Sequence, residues 1–142
     1  MLVTIKQAPG GIGGAITAPP SKSMAHRAVL CAALAKGTSH IGNLEFSKDI
    51  SATLSAAGQL CAKVRTGPDS AVVEGLGRFL PVEAPVDCCE SGSTLRFLIP
   101  IASLTGQSVT FVGRGRLMER PSRYTRRYIT SSLSALSRPR RG

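Results

Sequence analysis

Apolar and polar positions change period several times along the chain, and each change marks an element boundary. Residues 2–7 alternate, Val3 and Ile5 against Thr4 and Lys6, which predicts a strand ending at the Pro9-Gly10-Gly11 turn. Residues 13–17 predict a second short strand, stopped by Pro19-Pro20. At Ser21 the period lengthens. Met24, Ala28, Leu30, Cys31 and Leu34 form an apolar stripe at helical spacing behind a serine able to cap the first turn. Gly37 reads as the residue that ends this helix, with Lys36 in its last turn. Residues 38–44 predict a strand. Ser47-Lys48-Asp49 caps a second helix through Leu54 to about Ala57, with Gly58 beyond.

Residues 61–65 and 71–74 bracket Thr66-Gly67-Pro68-Asp69, a hairpin signal. Residues 80–87 read as irregular or a strand. Residues 91–104 predict a third helix, opened by Ser91-Gly92-Ser93-Thr94 and closed by Gly106. Residues 107–112 predict a strand leading into Gly113-Arg114-Gly115-Arg116. From residue 13 to 74 the order is strand, helix, strand, helix, strand, strand, and a second round starts near Val82 and is cut short. This alternation predicts an α/β layered fold. A unit that begins again and stops reads as a repeat protein with part of its repeats.

At 142 residues the chain suffices for one ordinary domain, and 42% apolar with 18% charged residues is a globular composition. Aromatics are only 4% and Trp is absent, so the core must be built from Ala, Leu, Val and Ile. No apolar run approaches ~18 residues, which excludes a membrane-spanning helix, and the start lacks the pattern of a secretory signal. Cys31, Cys61, Cys88 and Cys89 show neither C-x-x-C spacing nor histidines at zinc-finger distance, so a reduced, cytoplasmic protein without a bound metal is expected.

The net charge of +10 is concentrated at one end. Six of the 18 Lys and Arg lie in residues 122–142 (Arg123, Arg126, Arg127, Arg138, Arg140, Arg141), where there is no acid. The remaining 12 face all eight Asp and Glu, so residues 1–121 carry only +4, the mild excess expected of a binder of small anions.

Three stretches carry candidate chemistry. Ser21-Lys22-Ser23 stands at a helix start, where unpaired amides and the helix dipole favour phosphate or carboxylate, and Arg27 follows Ser23 by four residues on the same face. A capped helix with two solvated basic side chains produces the same pattern. The glycines of a Walker loop are missing before the lysine. His26, in the same stretch, fits either a site or a helix surface. Glu90 to Arg96 repeats the arrangement, with Gly92, Ser93 and Thr94 at the helix start and Arg96 in the first turns. The third stretch sends Arg114, Arg116 and Arg120 from a strand end, either as planar forks for an anion or as a solvated basic loop. Cys88 and Cys89 read as packing residues, and His40 has no partner in view.

At these three places the chain resembles the 5-enolpyruvylshikimate-3-phosphate synthases, also called 3-phosphoshikimate 1-carboxyvinyltransferases. The residues that carry the likeness are Pro20-Ser21-Lys22-Ser23-Met24-Ala25-His26-Arg27-Ala28, Ser91-Gly92-Ser93-Thr94-Leu95-Arg96 and Gly115-Arg116-Leu117-Met118-Glu119-Arg120-Pro121, in the family's order. The likeness covers about residues 1–121 and only the N-terminal part of the family's chain. It implies a partial enolpyruvyl-transferase fold, about one and a half βαβαββ units of a two-domain architecture whose full-length members are monomeric. It also implies transfer of the enolpyruvyl group from phosphoenolpyruvate to the 5-hydroxyl of shikimate 3-phosphate, in the shikimate pathway to chorismate and the aromatic amino acids, with no cofactor. Carried over by position, Lys22 meets both substrates, Ser23 and Arg27 hold shikimate 3-phosphate, and Gly92 and Arg116 bind phosphoenolpyruvate. Asp49, Ser93 and Arg96 are secondary candidates. Glu90 stands where many relatives carry Asn, and Phe97 where many carry Pro. The family's acid/base carboxylates lie in the part not represented, so the chain alone is expected to be inactive.

Two other readings stay open: a small basic nucleic-acid-binding protein using the arginine tail, and a module that holds shikimate 3-phosphate without turnover. Against the first, the tail has no aromatic residues beyond Tyr124 and Tyr128, and residues 1–121 show no nucleic-acid motif, so no nucleic-acid partner is expected. Residues 122–142 can be encoded by codons that, read one base out of register, continue the family pattern, so the tail is expected to be a frameshift product. The nucleotide sequence around the codon for Pro121 tests this: a one-base change should restore the family reading, and none doing so would reject it.

Overall fold

The computed structural model of the chain describes residues 2–7, 9–11, 13–117 and 119. Helix α1 spans Lys22–Leu34. Pro19-Pro20 bars helix upstream, and Ser21, extended at φ −74° and ψ 105°, turns its Oγ to the Met24 amide. The buried stripe is Ala25, His26, Val29, Leu30, Ala32 and Ala33, which shares only Leu30 with the predicted one. Met24, Leu34 and Cys31 are exposed. Both stripes have helical period; which one is buried depends on where the second helix and the sheet lie. The predicted glycine stop at Gly37 is also corrected. The helix ends at Leu34, Ala35 is already extended at ψ 153°, and Lys36 and Gly37 open strand β1 (Lys36–Ile41). Ladder pairing of Lys36 with Leu76 and Gly37 with Gly75 outweighs the local capping preference.

Helix α2 spans Lys48–Leu60, capped by the Ser47 Oγ, 3.3 Å from the Ile50 amide. It runs through Gly58, where the sequence predicts a stop, because Leu60 beyond it is buried in the core. Strands β2 (Ala62–Thr66) and β3 (Ala71–Leu76) form the predicted hairpin. The sheet order β1-β3-β2 is antiparallel throughout, so β3 fills the gap between β1 and β2, which α2 connects. Ala71, Val73 and Gly75 of β3 face the helices.

The second round is β4 (Val86–Asp87), α3 (Gly92–Ser103) and β5 (Phe111–Val112), with β4 and β5 parallel and α3 as the crossover. The strands at 80–87 and 107–112 shorten to these two residues each. A 3₁₀ turn, Gly115–Leu117, follows. Val29, Ile50, Leu60, Val73, Val86 and Leu98 share one core, so the two rounds form a continuous α/β body. The strands predicted at residues 2–7 and 13–17 are not formed. Leu2, Val3, Ile5 and Ile16 are exposed, and no described residue pairs with them. Alternation by itself does not hold a strand that has no ladder partner. Arg120 and the tail at 122–142 lie outside the described residues.

Two glycines have opposite roles. A Cβ on Gly75 would fall 1.8 Å from the Ala35 carbonyl oxygen and 2.6 Å from that of Ala32, so the end of α1 rests directly on the backbone of β3. A Cβ on Gly58 would meet nothing within 4 Å. Gly75→Ala is therefore expected to cost about 1–3 kcal/mol or more by overpacking. Gly58→Ala should gain about 0.5–1 kcal/mol of helix propensity. Urea unfolding of the two variants beside the parent chain measures both signs.

Candidate functional site

The three helices begin beside one another, each behind a serine cap: Ser21, Ser47 and Ser91. Asp49 is where they meet. Its carboxylate pairs with the Lys22 ammonium at the start of α1. Its backbone carbonyl accepts from the Thr53 hydroxyl at 3.1 Å and from the Thr94 hydroxyl at 3.3 Å, which brings in the start of α3. The Ser91 Oγ accepts from the Thr94 amide at 3.2 Å. Asp49 thus ties together three helix starts, each of which carries orphan amides and the positive end of a dipole.

On the outer face of α1, the Arg27 guanidinium donates to the Ser23 carbonyl at 3.0 Å and to the Ser23 hydroxyl. It also lies over the Phe97 ring of α3, 5.6 Å from the centroid. The predicted Ser23–Arg27 face is therefore formed, and Phe97 is a partner that spacing within α1 could not reveal. Lys22 stays half exposed despite its ion pair, so the cation remains open to an anion from solvent.

Beneath this face runs a chain of buried polar side chains. His26 Nδ1 lies 2.7 Å from Thr53 Oγ1, Thr53 Oγ1 lies 2.7 Å from Thr94 Oγ1, and Thr94 Oγ1 lies 2.7 Å from Ser91 Oγ. His26 is 2% exposed, which settles the open reading in favour of burial. Loss of hydration lowers its pKa below the ordinary 6.5, opposed by Asp49 and reinforced by Lys22 and Arg27.

The arginines after β5 divide in role. Arg114 pairs with the Asp87 carboxylate at 2.6 Å, and the other oxygen of Asp87 accepts the Cys89 amide at 2.7 Å. The Cys89 amide first, and Arg114 next, hold the Asp87 carboxyl below its usual range. Arg114 thus ties β5 to the turn before α3, a partnership sequence reading missed because Asp87 is far away in sequence. Arg116 is exposed in the 3₁₀ turn. That turn sits against the loop entering α3: a Cβ on Gly115 would lie 2.8 Å from the Glu90 Oε1. Gly92 is buried at the start of α3, Ser93 is half-buried and Arg96 is exposed. Among the described residues, no hydrogen bond or ion pair links the Arg116 or Arg96 side chain to the Lys22–Arg27 face.

Asp49 also borders a cleft of about 670 Å³, with Lys48, Asp87, Cys89, Glu90 and Arg114 among its walls. Cys88 is buried, and burial pushes its thiol up to about 11, as fits a packing residue; Cys89 instead faces the cleft. Among the described residues no group of three or more His, Cys, Asp or Glu could hold a metal ion, and no helix is long and apolar enough to cross a membrane.

A family model described as EPSP synthase (3-phosphoshikimate 1-carboxyvinyltransferase) matches residues 6–127. The 3-phosphoshikimate 1-carboxyvinyltransferase of Clostridium kluyveri is 44% identical over 113 residues, covering 80% of this chain and 26% of that protein. That of Clostridium beijerinckii is 47% identical over 124 residues, covering 82% and 28%. An EPSP synthase structure from Acinetobacter baumannii superposes with a TM-score of 0.77 at 23% identity, over 83% of this chain and 27% of that one. The chain spans about a quarter of the length of these curated relatives.

The buried ring makes stability depend on pH. The pKa of His26 is lower in the fold than the unfolded value of 6.5, so its neutral form stabilises fully above pH 6.5. Stability should fall as the pH drops from 6.5 toward the depressed folded value, because the unfolded chain then binds the extra proton. Thermal melts between pH 7.5 and about 4.5 are expected to show this slope, and His26→Gln should flatten it.

Proposed function

The chain belongs to the EPSP synthase (3-phosphoshikimate 1-carboxyvinyltransferase) family, and from that premise we propose that residues 1–121 form the N-terminal part of the synthase's substrate site. The observation that carries this is the meeting of three helix starts around Asp49, with Lys22 and Arg27 at its open edge. Two strongly anionic substrates need preorganised amides and cations, and this arrangement supplies both. Ser23 and Arg27 hold shikimate 3-phosphate. Gly92, through the first amides of α3, and Arg116 hold phosphoenolpyruvate, with Ser93 and Arg96 beside them. Lys22, oriented by Asp49, reaches both substrates. Its charge stabilises the transfer in which the 5-hydroxyl adds to the enolpyruvyl carbon and phosphate then leaves.

The groups that give and take protons in this reaction come from outside these 142 residues, so the chain by itself acts as the binding module without turnover. We further propose a cytoplasmic location, no cofactor, and a frameshift origin for the arginine- and serine-rich tail at 122–142. The family match, together with a body that carries only +4, supports this reading over nucleic-acid binding. Calorimetry with shikimate 3-phosphate checks it. Arg27→Ala removes a charge-assisted contact and should weaken binding about 10- to 100-fold. Unchanged affinity rejects the assignment, and phosphate release above background from the 142-residue chain rejects the absence of turnover.

A further inference from the structure

Apart from Arg116 in the 3₁₀ turn, the proposed ligand groups stand on α1 and α3, and both helices pack on α2, α1 resting on the sheet as well. Their relative placement therefore depends on what passes through or around α2. The buried side-chain chain does this, running from His26 on α1 through Thr53 on α2 to Thr94 and Ser91 at the start of α3.

Proton accounting gives the chain a direction. Thr53 and Thr94 both approach the Asp49 carbonyl, which can only accept. If the Thr53 hydroxyl donates there, it must accept from His26, so the ring carries its proton on Nδ1. The Thr94 hydroxyl shares its proton between the Ser91 Oγ and the Asp49 carbonyl, so both threonine protons have acceptors. The opposite direction, with Thr53 donating to Nδ1, would leave an N–H on the buried Nε2, which has no partner among the described residues. A bare nitrogen there costs less than an orphaned donor. Phe97 adds a second link from α3, its ring 6.4 Å from the His26 ring and under the Arg27 guanidinium.

We propose that His26 is a positioning residue: through Thr53 and Thr94 it fixes Ser91, and with it the first amides of α3, in register with the cationic face of α1. This rests on the reading of the α3 start as the phosphoenolpyruvate-holding group. Removing the relay hydroxyl releases α3 without altering the Ser23–Arg27 face.

The test uses the full 142-residue chain labelled with ¹⁵N, with phosphoenolpyruvate and shikimate 3-phosphate as separate probes. Thr53→Val is expected to weaken phosphoenolpyruvate binding about 5- to 10-fold, the scale of one lost buried hydrogen bond. Affinity for shikimate 3-phosphate should change less than about twofold. Thr53→Ser should restore the parent values. Should Thr53→Val fail to fold, Ser91→Gly keeps a tolerated cap residue, removes the last hydroxyl and carries the same expectation. Unchanged phosphoenolpyruvate affinity, equal loss of both ligands, or no rescue by Thr53→Ser overturns the proposal. If the parent chain binds neither ligand, the functional reading has failed, and the spectra still decide the relay. A His26 ring protonated on Nδ1, with a Thr94 amide displaced in Thr53→Val and restored in Thr53→Ser, upholds it. An unmoved Thr94 amide refutes it.

Discussion

The working end of the molecule depends on one constraint: polar atoms taken out of water where α1, α2 and α3 meet must satisfy one another. His26, Thr53, Thr94 and Ser91 are all buried; the first three bond from one helix to another, and Ser91 bonds to Thr94 of the helix it caps. A hydrogen bond in such surroundings contributes modestly when made and costs more when broken. The junction thus permits few alternative placements of the helices. Asp49 joins its two halves, its backbone carbonyl within the buried chain and its carboxylate outside on Lys22.

Small side chains let that junction form. With four Phe, two Tyr and no Trp, the chain has little bulk to fill space, and Ala25, Ala32, Ala33, Ala56, Ala57 and Ala62 line the core. Close approach replaces bulk. The carbonyl end of α1 lies on Gly75 at a distance no other residue would allow, which sets how far α1 can sit from the sheet and so where its N-terminus points. Packing at one end of α1 and chemistry at the other are linked through a rigid helix of 13 residues.

Charge then grades from inside to outside. The buried layer is neutral, with the His26 ring kept from taking up a second proton by loss of hydration. The next layer pairs Lys22 with Asp49 and Arg114 with Asp87, exposed pairs that orient more than they stabilise. The outermost cations, Arg27 and Arg116, keep their charge toward solvent, and Arg27 is steadied by Ser23 and the Phe97 ring. Cations held by neighbours in this way lose less freedom when an anion arrives.

Features whose cause lies within one helical turn were readable from the sequence. Ser21, Ser47 and Ser91 cap the helices expected of them, Ser23 and Arg27 meet four residues apart, and the 66–69 turn closes its hairpin. Features decided at a distance were not. The buried stripe of α1, the end of that helix at Leu34, the passage of α2 through Gly58, and the absence of strands at 2–7 and 13–17 all follow from what packs or pairs with each segment. His26 shows the division best. Its place on α1 could be read from the sequence, but its partner Thr53 is 27 positions away and Thr94 a further 41. Periodicity and capping express local backbone geometry, so the sequence alone determined them. Burial and polar pairing belong to surfaces that exist only after the helices have packed, so only the tertiary structure could decide them.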